Sequence, residues 1–276
     1  MSGTLKIGRI FYLNLYPIFH GLDRAAPDRY IYLDGHPARV NAWLRAGAVD
    51  LSPSSSIVYL RDPVDFSLME GHSVSSDGPI RSIYLFSRFP LEELGGRTIG
   101  VTNQSETSVA LLRIIVRKFY GLDHSVRATG LPASRAVARY GAWLAIGDDA
   151  MRAYKVFGLR KEKEKEKNPR GDLFVYDLGE IWREKTGLPF VFALWIARKD
   201  RMRAKRRAFA GFRRDLDLAR DYALSHLKEA ARLQPVSELG PVEVIRYWKG
   251  ISYGLGPAEK KGLRLFGKYA RELGLL

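Results

Sequence analysis

The sequence predicts an α/β protein of two lobes with a central cleft. Three observations carry that prediction. Short strand-like runs alternate with helical patterns, as in βαβ units that build a mostly parallel sheet covered by helices. At 276 residues with 46% apolar composition, the chain can bury two cores of domain size. Finally, Phe190–Ala197 (FVFALWIA) is a continuous apolar run late in the chain. It is typical of a strand buried on both faces and is placed to return the chain from one lobe to the other.

Taken in order, Lys6–Leu13 (KIGRIFYL) alternates and is rich in β-branched and aromatic residues, so it reads as a strand that ends at Asn14 and a turn containing Pro17. A second strand covers Tyr30–Leu33. The helix that follows starts near Pro37, since proline suits a first helical turn, and stops at Gly47. Val49–Ser52 forms a third strand. Ser73–Pro79, rich in Ser, Gly and Pro, reads as a loop before the strand Ser82–Ser87 (SIYLFS). A fresh unit begins with strand Thr98–Val101, a polar turn to Glu106 and a long apolar helix to about Tyr120. Strands Ala142–Ile146 and Leu173–Asp177 precede the FVFALWIA strand, and from Asp200 onward the pattern is helical. Two crossover strands then divide the chain into residues 1–88 with 198–276 as a discontinuous first lobe and 89–197 as the second.

No run approaches the roughly 18 apolar residues of a membrane-spanning helix, and the N-terminus enters a strand pattern directly, where a secretory leader would show a basic start and an apolar block. A cytoplasmic location is the expectation, with no membrane partner. The absence of cysteine removes disulfides, thiolate catalysis and cysteine-ligated zinc. The net charge of +15 raises the question of nucleic acid. However, much of the excess lies in Arg160–Lys167 (RKEKEKEK), where Glu alternates with Lys, and in Arg198–Arg214, a helical surface pattern. The first stretch carries no aromatic for base stacking and the second reads as the exposed face of a helix, so a solvated surface is favoured and no nucleic-acid partner is expected. The charge suits steering of a small anion.

Ligands of open α/β sheets collect at the carboxyl ends of strands. Those ends supply Tyr12 and Asn14; Ser54, Ser55 and Ser56; Ser82 and Ser87; Ser105, Thr107 and Ser108; and Asp148. The serine clusters at 54–56 and 105–108 either cap helices or hold carboxylates, and two such N-termini in different lobes favour an anion with two ends. Asn14 is either a turn residue or a hydrogen-bonding group of the site. Asp148 with Asp149 either caps a helix or faces the ligand. His20, His36, His72, His124 and His226 show no metal-ligand spacing, and no phosphate loop, GxSxG or EF-hand pattern is present. No metal or organic cofactor is expected.

Several ordered stretches resemble the chorismate dehydratases of the futalosine route to menaquinone. These are Arg9–Pro17 (RIFYLNLYP), Val49–Tyr59 (VDLSPSSSIVY), Leu85–Leu94 (LFSRFPLEEL), Leu144–Ala150 (LAIGDDA) and Asp177–Trp195 (DLGEIWREKTGLPFVFALW). The resemblance spans about residues 5 to 200. It implies a type II periplasmic-binding-protein fold and a hydro-lyase that converts chorismate to 3-[(1-carboxyvinyl)oxy]benzoate. By resemblance, the catalytic groups are Asn14 and Ser82, with Ser87 on the same strand as the alternative serine. Leu15 and Tyr16 are bulkier than what often follows YLN in that family, and RKEKEKEK looks like a local insertion. The alternative reading is a cytoplasmic carboxylate-binding protein without catalysis, because this scaffold serves mainly for solute capture.

Overall fold

The computed structural model describes residues 3–163, 173–236 and 238–276, and the side chains of all these except 158–163. The charged run 160–167 thus lies outside the described side chains. In chain order the first elements are β1 (Lys6–Ile10), α1 (Tyr16–Ala25), β2 (Ile31–Gly35), α2 (Pro37–Ala46), β3 (Leu51–Ser55), α3 (Ser56–Arg61), β4 (Phe66–Ser76) and β5 (Ile83–Ser87). Next come β6 (Thr98–Thr102), α4 (Glu106–Ile114), β7 (Ser125–Thr129), α5 (Ala133–Tyr140), β8 (Ala142–Ile146), α6 (Gly147–Lys163), β9 (Phe174–Asp177) and α7 (Leu178–Thr186). The remainder is β10 (Phe190–Arg198), α8 (Lys199–Ala204), α9 (Arg206–Ser225), α10 (Leu227–Leu233), α11 (Pro241–Lys249), β11 (Ser252–Gly254) and α12 (Pro257–Glu272).

Two compact units result: Met1–Ser75 with Val191–Lys260, and Ser76–Phe190 with Lys261–Leu276. The first carries a six-stranded sheet in the order β11-β4-β10-β3-β1-β2, and the second a five-stranded sheet in the order β7-β6-β8-β5-β9. In the first sheet β1 pairs in parallel with β2 and β3, and β10 runs antiparallel to β3, Ala193 opposite Ser55 and Ala197 opposite Leu51. In the second, β6 is parallel to β7 and β8, while β5 is antiparallel to both β8 and β9.

The expected divisions at 88 and 198 differ from these in two ways. β5 already belongs to the second sheet, so the first crossing comes at Ser75/Ser76. Residues 261–276 count with the second unit, because Phe266 of α12 packs edge-on to Phe190, which in turn packs on Trp182 (ring centroids 4.9 and 5.1 Å). The expected loop at 73–79 is another difference: Phe66–Ser76 is the longest strand of the sheet. Two of its serines are satisfied in pairing with β11, where Ser73 Oγ donates to the Gly254 carbonyl and Ser75 Oγ to that of Ser252 at 3.3 Å.

Elsewhere local chemistry and structure agree. α2 has His36 as its N-cap and Pro37 in its first turn, and it ends at Gly47 in the left-handed region (φ 72°), where a side chain would be strained. β10 lies between β3 and β4, and its residues from 190 to 197 are buried apart from Ala193, which is half-buried, as the unbroken apolar run requires. The helix begun at Glu106 does reach Phe119, but its last five residues, Ile115–Phe119, form a π-helical segment.

Candidate active site

In the first unit the carboxyl ends of the parallel strands are Ile10, Gly35 and Ser55. Tyr12 and Asn14 sit in the turn just after β1, and Ser54, Ser55 and Ser56 close β3 and open α3. The sequence-predicted residues of this unit therefore share one sheet edge. The turn is closed by Leu15 N donating to the Tyr12 carbonyl at 3.0 Å. Two buried aromatic donors from far along the chain bond its middle carbonyls. Trp248 Nε1 reaches the Leu13 carbonyl at 2.7 Å and Tyr253 Oη that of Asn14 at 2.7 Å. The Asn14 side-chain oxygen is buried and has no hydrogen-bond partner among the described residues. Burying an unpaired acceptor costs about 1–3 kcal/mol, and such groups concentrate where a ligand completes the bonding.

The serine cluster is differently placed. All three residues are buried. The Ser54 hydroxyl pairs with that of Ser52 at 2.7 Å, and the Ser55 hydroxyl accepts from Asn41 Nδ2 at 3.1 Å while Asn41 Oδ1 accepts from the Ser55 amide at 3.2 Å. Ser55 is the N-cap residue of α3 but makes no side-chain cap bond. Asn41 of α2, which the sequence did not single out, thus locks the end of β3 in both directions.

In the second unit the carboxyl ends of the parallel strands are Thr102, Thr129 and Ile146. Ser105 is the N-cap of α4 and accepts from the Ser108 amide at 3.2 Å, while its hydroxyl donates to that of Ser108 at 3.0 Å. Thr107 and Ser108 are buried in that first turn. Asp148 and Asp149 stand in the first turn of α6, a favourable place for carboxylates on the helix dipole, and Asp149 also pairs with Arg152 at 3.1 Å. β5 runs opposite to β8, with Ile83 facing Ile146 and Ser87 facing Ala142. Ser82 is consequently on the same edge as Ser105, Thr107, Ser108 and Asp148. Its carbonyl accepts from the Gly147 amide at 2.7 Å.

Ser87 lies at the opposite edge, five residues or about 17 Å along the strand. Its hydroxyl donates to the Phe89 carbonyl at 2.7 Å and accepts from the Phe89 amide at 3.0 Å, so it shapes the turn after β5. The two serines that the sequence left as alternatives are thereby separated: only Ser82 stands with the other anticipated residues of its unit.

A carboxylate that sequence reasoning missed organises this edge. Asp177, at the end of β9, is buried and accepts from Ile80 N (3.1 Å), Arg81 N (2.6 Å), Gly179 N (2.9 Å) and Glu180 N (3.2 Å). It caps α7 and pins the segment just before Ser82, where Arg81 takes a positive φ of 59°. Burial pushes its carboxyl up to about 6, against the four amide donors that favour the ionised form. A cavity of about 470 Å³ in the same unit is lined by Leu131, Trp143, Asp149, Arg152 and Phe157 among others; of the anticipated residues only Asp149, the neighbour of Asp148, borders it. Among the described residues no group of three or more His, Asp or Glu could hold a metal ion.

A family profile described as menaquinone biosynthesis matches residues 5–272. The chain belongs to this menaquinone-biosynthesis family. Within reach of that family, the chain is 31% identical to the chorismate dehydratase of Thermus thermophilus over 269 residues, 96% of this chain and 93% of that one. Among solved structures, a protein of Archaeoglobus fulgidus has a TM-score of 0.68 at 17% identity, covering 99% of this chain and 98% of that one. The alkanesulfonate-binding protein SsuA of Xanthomonas axonopodis pv. citri, bound to MOPS, has a TM-score of 0.66 at 19% identity, covering 99% and 94%. The family member described here therefore has the two-lobed type II periplasmic-binding-protein fold. At these identities the solved structures speak for the fold alone.

Proposed function

We propose that this protein is a chorismate dehydratase, a carbon–oxygen hydro-lyase of menaquinone biosynthesis that acts in the cytoplasm. The observation that carries the proposal is the 31% identity to a chorismate dehydratase over nearly the full length of both chains. The reaction breaks the C3–H and C4–O bonds of chorismate, releases water and leaves an aromatic ring, the product being 3-[(1-carboxyvinyl)oxy]benzoate. Aromaticity supplies much of the driving force, so the protein has mainly to orient the substrate and to assist the departing hydroxyl.

In this reading the Asn14 amide, whose oxygen has no partner among the described residues, hydrogen-bonds at the C4 hydroxyl with Ser82 as its companion. The helix starts at Ser54–Ser56 and Ser105–Ser108 attend the two carboxylates through their amides, and Tyr12 and Asp148 border the substrate. Ser87 is no longer proposed to touch it, because its hydroxyl is spent on Phe89. The substrate's own enolpyruvyl carboxylate takes the C3 proton, since no histidine stands among these residues. Among the described residues no helix is long and apolar enough to cross a membrane. No observation favours solute capture without turnover.

Purified protein given chorismate should form 3-[(1-carboxyvinyl)oxy]benzoate, followed by mass spectrometry. Asn14→Ala should lower kcat at least 100-fold and Ser82→Ala at least tenfold. Absence of product with the wild type would overturn the function. Full turnover by both variants would overturn the site while leaving the function standing.

A further inference from the structure

The turn that presents Asn14 is held by residues some 235 positions away in sequence, and both holding atoms are buried side-chain donors. Trp248, fully buried at the end of α11, donates to the Leu13 carbonyl; Tyr253, 4% exposed on β11, donates to the Asn14 carbonyl, each at 2.7 Å. Neither bond is part of a helix or sheet ladder, so the fold of the first unit does not require them for its secondary structure. Trp248 is itself stacked on Tyr16 of α1 (7° between planes, centroids 6.2 Å), and Tyr16 Oη donates to the Leu233 carbonyl at 2.9 Å. The clamp is therefore tied to three helices. On the same residue, the Asn14 side-chain oxygen is buried with no partner among the described residues. A backbone group fixed by a directed bond beside an amide oxygen left unpaired is the arrangement of a pre-aimed polar group.

We infer that Tyr253, with Trp248 on the preceding carbonyl, is a positioning residue for the dehydration, holding the Asn14 amide at the angle and depth at which it meets the substrate hydroxyl. The inference rests on the function and the Asn14 role proposed above. Burial holds the Tyr253 phenol well above its ordinary range, so it remains a donor at neutral pH. Catalytic groups tolerate little displacement, and a shift of about 1 Å can cost about 100-fold in rate. Loss of one of two restraining bonds should cost less than that.

The test is Tyr253→Phe, which keeps the ring and removes only the donor, assayed on purified, folded protein with chorismate. The expected result is a fall in kcat of about tenfold with KM within twofold of wild type, and a melting temperature lowered by only a few degrees. In an Asn14→Ala background the same substitution should leave the residual kcat unchanged, because there is no amide left to aim. A wild-type kcat in folded Tyr253→Phe overturns the inference whatever its melting temperature, as does an equal kcat loss in both backgrounds. If Asn14→Ala has no measurable turnover, the split between kcat and KM in the single variant decides alone. Failure of the underlying reading looks different: no product with the wild type removes the function, and full turnover by Asn14→Ala removes the Asn14 role and the clamp's purpose with it.

Discussion

Two buried histidines set how the fold meets acid. His72 on β4 is 2% exposed and His124 is 7% exposed. Burial lowers the pKa of His72, with Arg220 and Arg213 adding to the effect and Asp217, 3.0 Å from Nε2, opposing it. Burial also lowers that of His124, beside Arg117 and Arg113. With folded values below the unfolded value of about 6.5, the unfolded chain takes up protons first. Their contribution is intact above that pH and is lost as pH falls through it. Asp177 works in the opposite sense over a lower window: its folded value of about 6 lies above the ordinary 3.8, so its ionisation costs stability as pH rises through that interval. Melting curves between pH 7.5 and 5.5 should show a decline for the wild type that is shallower in His124→Gln, by up to about 1.4 kcal/mol per pH unit for one group. Parallel profiles would sink this account. Asn14 was legible as the first polar residue after an alternating strand. Tyr253, Trp248, Asn41 and Asp177 were not, because each acts on a backbone group or hydroxyl that sequence does not bring near it.

At the level of elements, helix α1 meets α9 at a glycine. A Cβ added at Gly21 would lie 2.5 Å from the Ala219 carbonyl oxygen, a backbone atom that cannot swing aside. In an isolated helix Gly→Ala stabilises by about 1 kcal/mol. Here the close approach reverses the sign, and Gly21→Ala should lower stability by about 1–3 kcal/mol in urea titration; a stabilised variant would show that the helices can part freely. The strands flanked by helices were readable from their apolar patterns, and β8 and β10 agree with expectation to within a residue. β4 was not readable. Its glycine and serines have the composition of a loop, and what makes it a strand is pairing with β10 and with β11, the latter about 180 residues later. β7, SVRAT, lies at a sheet edge and is largely exposed, so it lacks the apolar signal altogether.

For the molecule as a whole, a net charge of +15 acting on a dianionic substrate predicts steered encounter. kcat/KM for chorismate should fall several-fold between about 20 and 200 mM salt while kcat stays constant. A flat kcat/KM would show that the charge serves solubility alone. The division into two units was legible from the return strand at 190–197, but its seams were not, because the residues that decide them, Phe190 and Phe266, are joined only by packing. Those seams also bear on how the protein is made. Residues 1–75 hold β3 and β4 but lack β10, the strand that separates them in the sheet, and residues 76–190 lack the α12 side chains that cover Trp182 and Phe190. A ribosome that has synthesised two thirds of the chain has therefore finished neither unit. Residues 191–198 must emerge before β10 can join β3 to β4 in the first sheet, whereas all five strands of the second sheet and its core around Phe86 and Trp143 are present by residue 177, so the ordinary order of events, in which the N-terminal domain folds first, is reversed for the sheets of this protein.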